Sequence, residues 1–359
     1  MKTEHILVIR FSALGDVAMT VPVIAALARQ YPHVRITMLS RGFARPFFEG
    51  LAPNVSFMEA DVKGEYRGVK GLNALYRRLT AKNFTAIADL HDVLRSLYLR
   101  LRFDLGRYKV AHVNKHRKDK RQLVSAGQKV LKPLPSMFEN YAEVFARLGY
   151  PVQLDPTFSL NERFDLPEAR FAEFWDGREA PEQGALLIGV APFAAHEGKI
   201  YPLPLMEKVI SGLCDRHPDA RLFFFGGGET EMAVFHEWAA KYAQCVVVGD
   251  HLKGLHEELA LMKRLSVMVS MDSANLHFAS LVALPVVSVW GATHPYAGFM
   301  GYGQSPENAV QIDLPCRPCS IYGKKPCMRG DWACLQNISP EQIINKVETV
   351  ILTKNRKTL

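Results

Sequence analysis

The stretch VSMDSANLHFASLVALPVVSVWGATHP, residues 269–295, decides the predicted fold of this chain. It reads as the end of a short apolar strand, a polar turn at 271–275, a helix to about Ala283 and a second buried strand from Pro285 to Trp290. A helix that follows a strand in this way points free backbone N–H groups and the positive end of its dipole at the sheet edge, where phosphate is the usual ligand. The stretch therefore predicts parallel α/β structure with an anion site.

Polar side chains follow both strands of this stretch. Asp272, Ser273, Asn275 and His277 follow the first strand, and Thr293 follows the second. Because neighbouring strands of a parallel sheet end at the same edge, the two loops predict a ligand-binding crevice. Helix capping is the alternative interpretation of Asp272, Ser273 and Asn275.

The same strand and helix pattern continues outward in both directions and fills two domains. A chain of 359 residues exceeds the usual single domain. We expect an α/β fold of two Rossmann-like doubly wound domains that face each other across a cleft, with residues 1–165 forming the first and 166–338 the second. A last helix, within 339–359, follows them.

Composition and charge narrow the class of protein. Hydrophobic residues make up 48% of the chain and charged residues 22%, which is typical of a globular protein rather than a disordered or membrane-spanning one. The first apolar run is short and is interrupted by Arg10, so it predicts a strand rather than a signal peptide and a cytoplasmic protein. The net charge of +8 favours anionic partners.

The loop after the first strand carries a candidate general base. Ser12, Gly15 and Asp16 stand where a dinucleotide-binding protein would have G-x-G-x-x-G, so a dinucleotide site is disfavoured. A carboxylate at this strand end could accept a proton from a substrate hydroxyl. The alternative for Asp16 is a helix N-cap.

Basic residues of the first half predict contact with an anionic acceptor. Arg95 lies in the first turns of a helix, and residues 107–132 form a strongly basic run. The densest part of this run contains Lys115, Arg117, Lys118, Lys120 and Arg121. A solvated surface is the alternative, and because aromatic residues are not interleaved the run does not predict nucleic-acid binding.

Two loops of the second half suit a nucleotide. Lys199 follows a predicted strand, and its ammonium would suit a diphosphate. In FGGGETE, residues 225–231, Gly227 and its neighbours let the backbone approach a ligand, and Glu229 or Glu231 could accept hydrogen bonds from ribose hydroxyls. The alternatives are an exposed lysine and glutamates that stabilise a helix N-terminus.

Four cysteines cluster late in the chain. Cys316, Cys319, Cys327 and Cys334 are compatible with a structural zinc site, although the spacing is not that of a standard zinc finger. Free thiols packed in a loop are the alternative. Cys214 and Cys245 lie in apolar segments and are predicted to be core residues.

Taken in order, several segments resemble glycosyltransferase family 9, the bacterial heptosyltransferases of lipopolysaccharide core assembly. They are ILVIRFSALGDVAMTVPVIAAL at 6–27, DLHDVLRS at 89–96, FGGGETE, and the stretch quoted first. The resemblance covers nearly the whole chain. It implies a GT-B fold, inversion at the sugar anomeric carbon, an ADP-activated heptose donor, a lipid-linked glycan acceptor, no cofactor for catalysis, and packing of the last helix back on the N-terminal domain.

The resemblance also implies roles for individual residues. Asp16 matches the carboxylate that deprotonates the acceptor hydroxyl, and Lys199 matches the lysine that meets the donor phosphates. Asp272 matches the residue that meets the sugar, while Glu229 and Glu231 fall near the acidic residue associated with the nucleoside. The turn under the diphosphate matches Ser273, Ala274, Asn275 and His277, with Ala274 where the family commonly has Gly. Tyr201 stands where Trp is frequent, which implies an altered donor preference.

Other classes of function are weighed against the transferase. A sugar-nucleotide enzyme that needs no acceptor, such as an epimerase, would use the same two domains. An oxidoreductase is disfavoured because the glycine fingerprint is missing. A nonenzymatic binder of anions or nucleic acid would use the 107–132 run. If the acceptor is a membrane lipid, we expect peripheral, salt-sensitive contact with the inner membrane through that run.

Overall fold

The computed structural model describes residues 4–175, 180–182 and 184–358, with side chains described as far as Lys354. The chain divides into two compact units. The first comprises residues up to 116 together with 135–157, and the second comprises 117–134 together with 158 onward. The division differs from the predicted boundary at 165, because part of the basic run belongs to the second unit.

The first unit contains a five-stranded parallel sheet in the order β3-β2-β1-β4-β5. Its strands are β1 His5–Ile9, β2 Arg35–Ser40, β3 Val55–Glu59, β4 Ala86–Asp89 and β5 Lys109–His112. The helices of this part of the chain are α1 Leu14–Ala18, α2 Val21–Gln30, α3 Arg45–Phe48, α4 Gly68–Thr80, α5 Leu94–Leu105, α6 Arg117–Leu123 and α7 Met137–Arg147, of which α6 belongs to the second unit. The strand order reverses between β1 and β4, which makes their carboxyl ends the switch point where ligands of such sheets bind.

The second unit contains a six-stranded parallel sheet in the order β11-β10-β9-β6-β7-β8. Its strands are β6 Leu187–Ala191, β7 Arg221–Phe224, β8 Cys245–Val247, β9 Val267–Met271, β10 Val286–Val289 and β11 Ala309–Val310. Its further helices are α8 Glu168–Ala172, α9 Leu203–Arg216, α10 Glu229–Lys241, α11 Val248–His251, α12 Leu255–Arg264, α13 Ala274–Leu281, α14 Ala333–Gln336 and α15 Pro340–Thr358. Here the switch point lies between β6 and β9.

Both sheets are buried on two faces, as parallel sheets are. All five residues of β1 and all five of β9 are buried, and their long apolar runs follow from that position. The predicted α/β fold with two Rossmann-like, doubly wound sheets is confirmed.

The last helix, α15, packs on its own unit. It contacts α9 and the strands β9, β10 and β11, and Ile343, Ile344 and Val347 are buried in the core that these elements share. Its predicted packing on the N-terminal domain stays a prediction. Among the described residues no helix combines the length and the apolar character that a bilayer span requires.

Candidate functional site

Three loops of the second unit meet at one buried carboxylate. Asp272 follows β9 and is 4% exposed. Its Oδ2 lies 2.8 Å from Lys199 Nζ, in the loop after β6, and accepts a hydrogen bond of 2.8 Å from Thr293 Oγ1, after β10. Because β6, β9 and β10 are neighbours, their carboxyl ends bring these side chains together. The ends of β9 and β10 therefore bring Asp272 and Thr293 together, and Lys199 joins them.

The N-terminus of α13 lies beside this trio. Ser273 is the N-cap residue, and its hydroxyl lies 3.4 Å from Ser270 Oγ. Ser273, Ala274 and Asn275 are half-buried, whereas His277, one turn into the helix, is buried. A helix start between a lysine and a threonine is an arrangement that suits the binding of phosphate oxygens.

The cysteine-rich segment braces two of the three loops. Arg317 is buried and donates a hydrogen bond of 2.7 Å from Nε to Gly291 O, while Cys319 N and Ser320 N donate to Ala292 O. Trp332 Nε1 donates to Glu197 Oε1 at 3.0 Å, next to the Lys199 turn. This bracing was not predicted from the sequence, because its partners are remote along the chain.

Gly291 is required where these loops pack. A Cβ at this position would lie 2.7 Å from Gly198 O and 2.6 Å from the Leu335 side chain. A larger residue would therefore separate the Lys199 loop from the Thr293 loop.

The loop after β7 holds the residues predicted to bind the nucleoside. Gly227 N donates a hydrogen bond of 2.9 Å to Glu231 Oε2, so the Glu231 carboxylate stabilises the loop that precedes α10. Glu229 is exposed at the start of α10, and the preceding Gly228 has φ of 92°, a conformation that favours glycine. Glu229 is thus better placed to meet a ligand than Glu231.

Tyr201 does not lie at the site. Its side chain is fully buried, and its hydroxyl donates a hydrogen bond of 2.7 Å to Ile338 O. Burial raises the pKa of this phenol. The expectation that Tyr201 alters donor preference stays a prediction, and the burial of the ring in the core favours a structural role.

Asp16 of the first unit is held by an ion pair. Arg10 Nη2 lies 2.9 Å from Asp16 Oδ2, with the arginine side chain 7% exposed and the aspartate side chain 31% exposed. Arg10 also stacks over the Tyr141 ring at 5.6 Å. Burial opposes the charge of Arg10, but the charges of Asp16, Tyr141 and Asp89 outweigh it and raise the pKa of Arg10. Asp16 is therefore an accessible carboxylate beside a permanent cation.

Asp16 also interacts with the start of its own helix. Ala13, not Asp16, is the N-cap residue of α1; Asp16 is the third helical residue, and its Oδ2 accepts a hydrogen bond of 3.3 Å from Ala13 N. Gly15, in the first turn of α1, and Ser12, in the preceding loop, are half-buried.

His91, just after β4, organises the loop that carries Ser12. Phe11 N donates to His91 Nδ1 at 3.3 Å, which leaves the ring proton on Nε2, 3.4 Å from Ser12 Oγ. Burial, followed by the positive charges of Arg10 and Lys115, lowers the pKa of His91 to about 3. The ring is therefore neutral at pH 7 and works as a hydrogen-bonding group.

The aspartates of DLHDVLRS are structural. Asp89 is fully buried and accepts hydrogen bonds of 2.9 Å from His91 N and Asp92 N. Arg100 reaches both Asp89, at 3.5 Å, and Asp92, at 3.3 Å. Arg95, in the first turn of α5, is exposed and stays a predicted acceptor contact.

The basic run is divided between the two units. Lys115 belongs to the first unit and donates a hydrogen bond of 2.7 Å to Asp92 O. Arg117, Lys118 and Arg121 are exposed on α6, in the second unit. Lys120 is 6% exposed, with its ammonium 4.6 Å from the Phe299 ring centre and 5.9 Å from that of Tyr322. Its prediction as an acceptor contact is corrected, because the aromatic rings enclose it.

The four late cysteines are free thiols. Cys316 is exposed, Cys319 and Cys327 are half-buried, and Cys334 is buried. Burial raises the pKa of the Cys334 thiol to about 11. Among the residues that the structure describes, no three His, Cys, Asp or Glu side chains are arranged to hold a metal ion. The predicted zinc ligands therefore do not form a ready-made metal site.

Comparison with known proteins identifies the relatives of this chain. Residues 72–328 match the sequence model described as glycosyltransferase family 9 (heptosyltransferase). Lipopolysaccharide heptosyltransferase 1 of Pseudomonas aeruginosa is 23% identical, over 97% of this chain and 98% of its own length.

Solved structures share the fold. The glycosyltransferase family 9 protein of Veillonella parvula superimposes with a TM-score of 0.72 at 20% identity, with 98% of each chain covered. Escherichia coli heptosyltransferase WaaC with ADP-2-deoxy-2-fluoro heptose superimposes with a TM-score of 0.64 at 17% identity, over 96% of this chain and 99% of that one. The predicted GT-B fold class is thereby confirmed.

Proposed function

Because this chain belongs to glycosyltransferase family 9 and is therefore a glycosyltransferase, we propose that it moves a heptose from ADP-heptose to the sugar core of a lipopolysaccharide. The proposed reaction inverts the configuration at the anomeric carbon. The relative from Pseudomonas aeruginosa is a lipopolysaccharide heptosyltransferase, and the WaaC structure carries an ADP-heptose analogue. Both findings support this choice of donor and acceptor.

The observation that carries the proposal is the convergence of Lys199 and the start of α13 at Asp272. When the bond between the anomeric carbon and the phosphate oxygen breaks, the bonding electrons leave with the ADP. The Lys199 ammonium and the backbone N–H groups of α13 would then stabilise the charge on the leaving diphosphate. Asp272 and Thr293 would hold Lys199 in place, and Glu229 would meet the nucleoside.

Asp16 would serve as the general base. An acceptor hydroxyl attacks the anomeric carbon on the face opposite the leaving ADP, and its proton passes to the Asp16 carboxylate. The ion pair with Arg10 holds that carboxylate in place. No divalent metal is needed in this scheme, because cationic side chains and N–H groups take the charge.

The acceptor is proposed to be anionic and attached to lipid. Arg95 and the exposed α6 residues Arg117, Lys118 and Arg121 would attract its phosphates. With a lipid acceptor, the enzyme would work at the cytoplasmic face of the inner membrane through salt-sensitive peripheral contact.

The test is a transfer assay with purified protein. ADP-, GDP-, UDP- and CDP-activated sugars are supplied with a heptose-free lipopolysaccharide core, release of the corresponding nucleoside diphosphate is followed, and NMR of the product gives the anomeric configuration. We expect transfer from ADP-heptose only, with inversion.

Two outcomes would overturn the proposal. Release of an epimerised sugar nucleotide without any acceptor would favour the epimerase interpretation. Transfer with retention would remove Asp16 from the role of base on the opposite face of the sugar.

A further inference from the structure

A polar pocket lies in the first unit, away from the carboxyl ends of β1 and β4. Its volume is about 620 Å³, and it runs from the amino ends of β1 and β2 to the outer edge of β3. The C-terminal end of α4 and the turn that follows it complete the wall. His5 and Ile9 are the two ends of β1, so the pocket and the Asp16 loop are separated by the length of that strand, about 13 Å.

The lining is strongly basic. Arg35, Arg45, Arg78 and Lys82 contribute cations, and Glu59 contributes the one carboxylate of the described lining. Glu59 is already paired with Arg45 at 3.1 Å. The net charge of the lining is therefore positive.

Three of these cations have no carboxylate partner among the described residues. Arg78 donates a hydrogen bond of 2.8 Å to the neutral Tyr66 hydroxyl, and neither Arg35 nor Lys82 forms an ion pair. Arg35 and Lys82 are exposed at the rim. Uncompensated cations that converge on a concavity favour the entry of an anion.

The floor of the pocket is a row of hydrogen-bonded polar side chains across three strands. His5 Nε2 lies 2.8 Å from Thr37 Oγ1, which lies 2.9 Å from Ser56 Oγ. His5 and Thr37 are each 4% exposed. Burial, followed by the charge of Arg35, lowers the pKa of His5 to about 4, so the ring is neutral at pH 7 and contributes a hydrogen-bonding nitrogen.

This row interrupts an apolar face. Further along the same strands, Leu7, Leu39 and Met58 belong to the core beneath α4. A sheet face covered by a helix ordinarily continues with such residues. Instead, the last row of side chains is polar and lines the pocket, with the Ser56 hydroxyl donating a hydrogen bond of 3.3 Å to Ile36 O.

We propose that this pocket binds a phosphomonoester group, carried either by a soluble metabolite or by a lipid headgroup. The dianion matches the surplus of positive charge. Its three terminal oxygens can accept hydrogen bonds from the guanidinium groups and from the Lys82 ammonium. The proposal goes beyond glycosyl transfer and does not depend on it, because no residue of the pocket belongs to the proposed active site.

The experiment titrates the full-length protein with glycerol 3-phosphate in a calorimeter at constant ionic strength. Arg35→Gln with Lys82→Gln removes two rim cations of the pocket. Lys70→Gln with Arg77→Gln removes two exposed cations of α4 that do not line it, and so matches the change in charge. Any binding at the proposed donor site is common to all three proteins. The difference between their affinities for glycerol 3-phosphate therefore reports binding at the pocket.

We expect affinity to fall by about tenfold or more in the pocket variant and to stay unchanged in the control variant. Both variants change exposed residues, and their thermal unfolding checks that they are folded. Equal affinity in all three proteins, or no binding by the wild type, would overturn the proposal.

Vesicles separate the two sources of the phosphate. The three proteins are sedimented with phosphatidylcholine vesicles that contain or lack phosphatidic acid. A selective loss of phosphatidic acid binding in the pocket variant identifies a lipid headgroup as the ligand. If glycerol 3-phosphate binding depends on the pocket and vesicle binding does not, the ligand is a soluble phosphomonoester.

Discussion

The ammonium of Lys199 lies 2.8 Å from the carboxylate of Asp272, although the two residues belong to different loops of the second sheet. The lysine side chain is 16% exposed and the aspartate side chain 5% exposed. The two groups that the family resemblance assigned to different parts of the donor therefore form one ion pair. Asp272 orients the cation, and Thr293 orients Asp272.

Replacing the lysine is expected to weaken donor binding. Lys199→Met keeps most of the apolar side chain but removes the charge, so the affinity for an ADP-sugar should fall by about tenfold or more, as for the loss of a charge-assisted contact. Calorimetry measures the affinity. Lys208→Met, on the exposed face of α9, is the matched control. Unchanged affinity in Lys199→Met would remove this lysine from the donor site.

Replacing Asp16 is expected to stop the chemistry and leave binding intact. Asp16→Asn has nearly the same shape but cannot accept the proton, so kcat should fall by roughly 10²–10⁴, the usual contribution of a general base. Calorimetry should show the same ADP-sugar affinity as the wild type. Asp104→Asn, an exposed aspartate of α5, controls for the change in charge. A variant with normal kcat would show that Asp16 acts only through its ion pair with Arg10 and its hydrogen bond at the start of α1.

His91 predicts a loss of stability in acid. Its pKa, about 3, lies below the ordinary 6.5, so between these pH values the unfolded chain binds a proton that the folded chain does not. Stability is therefore complete above pH 6.5 and falls as the pH is lowered toward 3. At pH 5 this one group lowers the free energy of unfolding by about 2 kcal/mol relative to pH 7.5.

His91→Asn isolates this effect. The amide oxygen can accept the Phe11 N–H bond, but the side chain does not titrate. The melting temperature of the variant should therefore change less between pH 7.5 and pH 5 than that of the wild type. His33→Asn, at an exposed site of the same unit, should keep the wild-type pH dependence. Equal pH dependence in both variants would contradict the assignment.

Local patterns predicted most of the helices and strands. Apolar periodicity and end signals predict a helix over residues 203–216 and another over about 255–264, and the structure has the helices Leu203–Arg216 and Leu255–Arg264. The sequence from Asp16 or Val17 to about Tyr31 predicts a single helix, but the structure has two, α1 and α2, with Thr20 Oγ1 donating to Val17 O at the break. A hydroxyl that competes for a helix carbonyl is a weak signal in a sequence.

Some features of the candidate site could also be predicted from the sequence, and others could not. Lys199, Asp272 and Thr293 could be grouped from sequence because each follows an apolar strand, and the ends of parallel strands share an edge. Arg10 and its contact with Asp16 were not predicted, since Arg10 reads as an interruption of a strand. The burial of Lys120 depends on Phe299 and Tyr322, which are remote in the sequence.

Because the Tyr201 ring is buried, we expect its substitution to change stability without changing the choice of donor. Tyr201→Phe removes the hydrogen bond to Ile338 O and leaves a buried carbonyl without that donor, which should lower the free energy of unfolding by about 1–2 kcal/mol. Thermal unfolding measures the loss. The ranking of ADP-, GDP-, UDP- and CDP-sugars in a binding assay should not change. A new donor preference would contradict the assignment of this ring to the core.

Substitutions of two adjacent cations of α6, Lys120 and Arg121, should affect different properties of the protein. Lys120→Met keeps the buried stem but loses the contact of the ammonium with the Phe299 and Tyr322 rings, which costs about 1 kcal/mol and about 2–4 °C in melting temperature. Arg121→Met changes an exposed residue and should leave the melting temperature unchanged. It should weaken binding to anionic vesicles at low salt, because it removes a surface charge. A larger vesicle defect in Lys120→Met than in Arg121→Met, with normal stability, would show that Lys120 meets the acceptor surface after all.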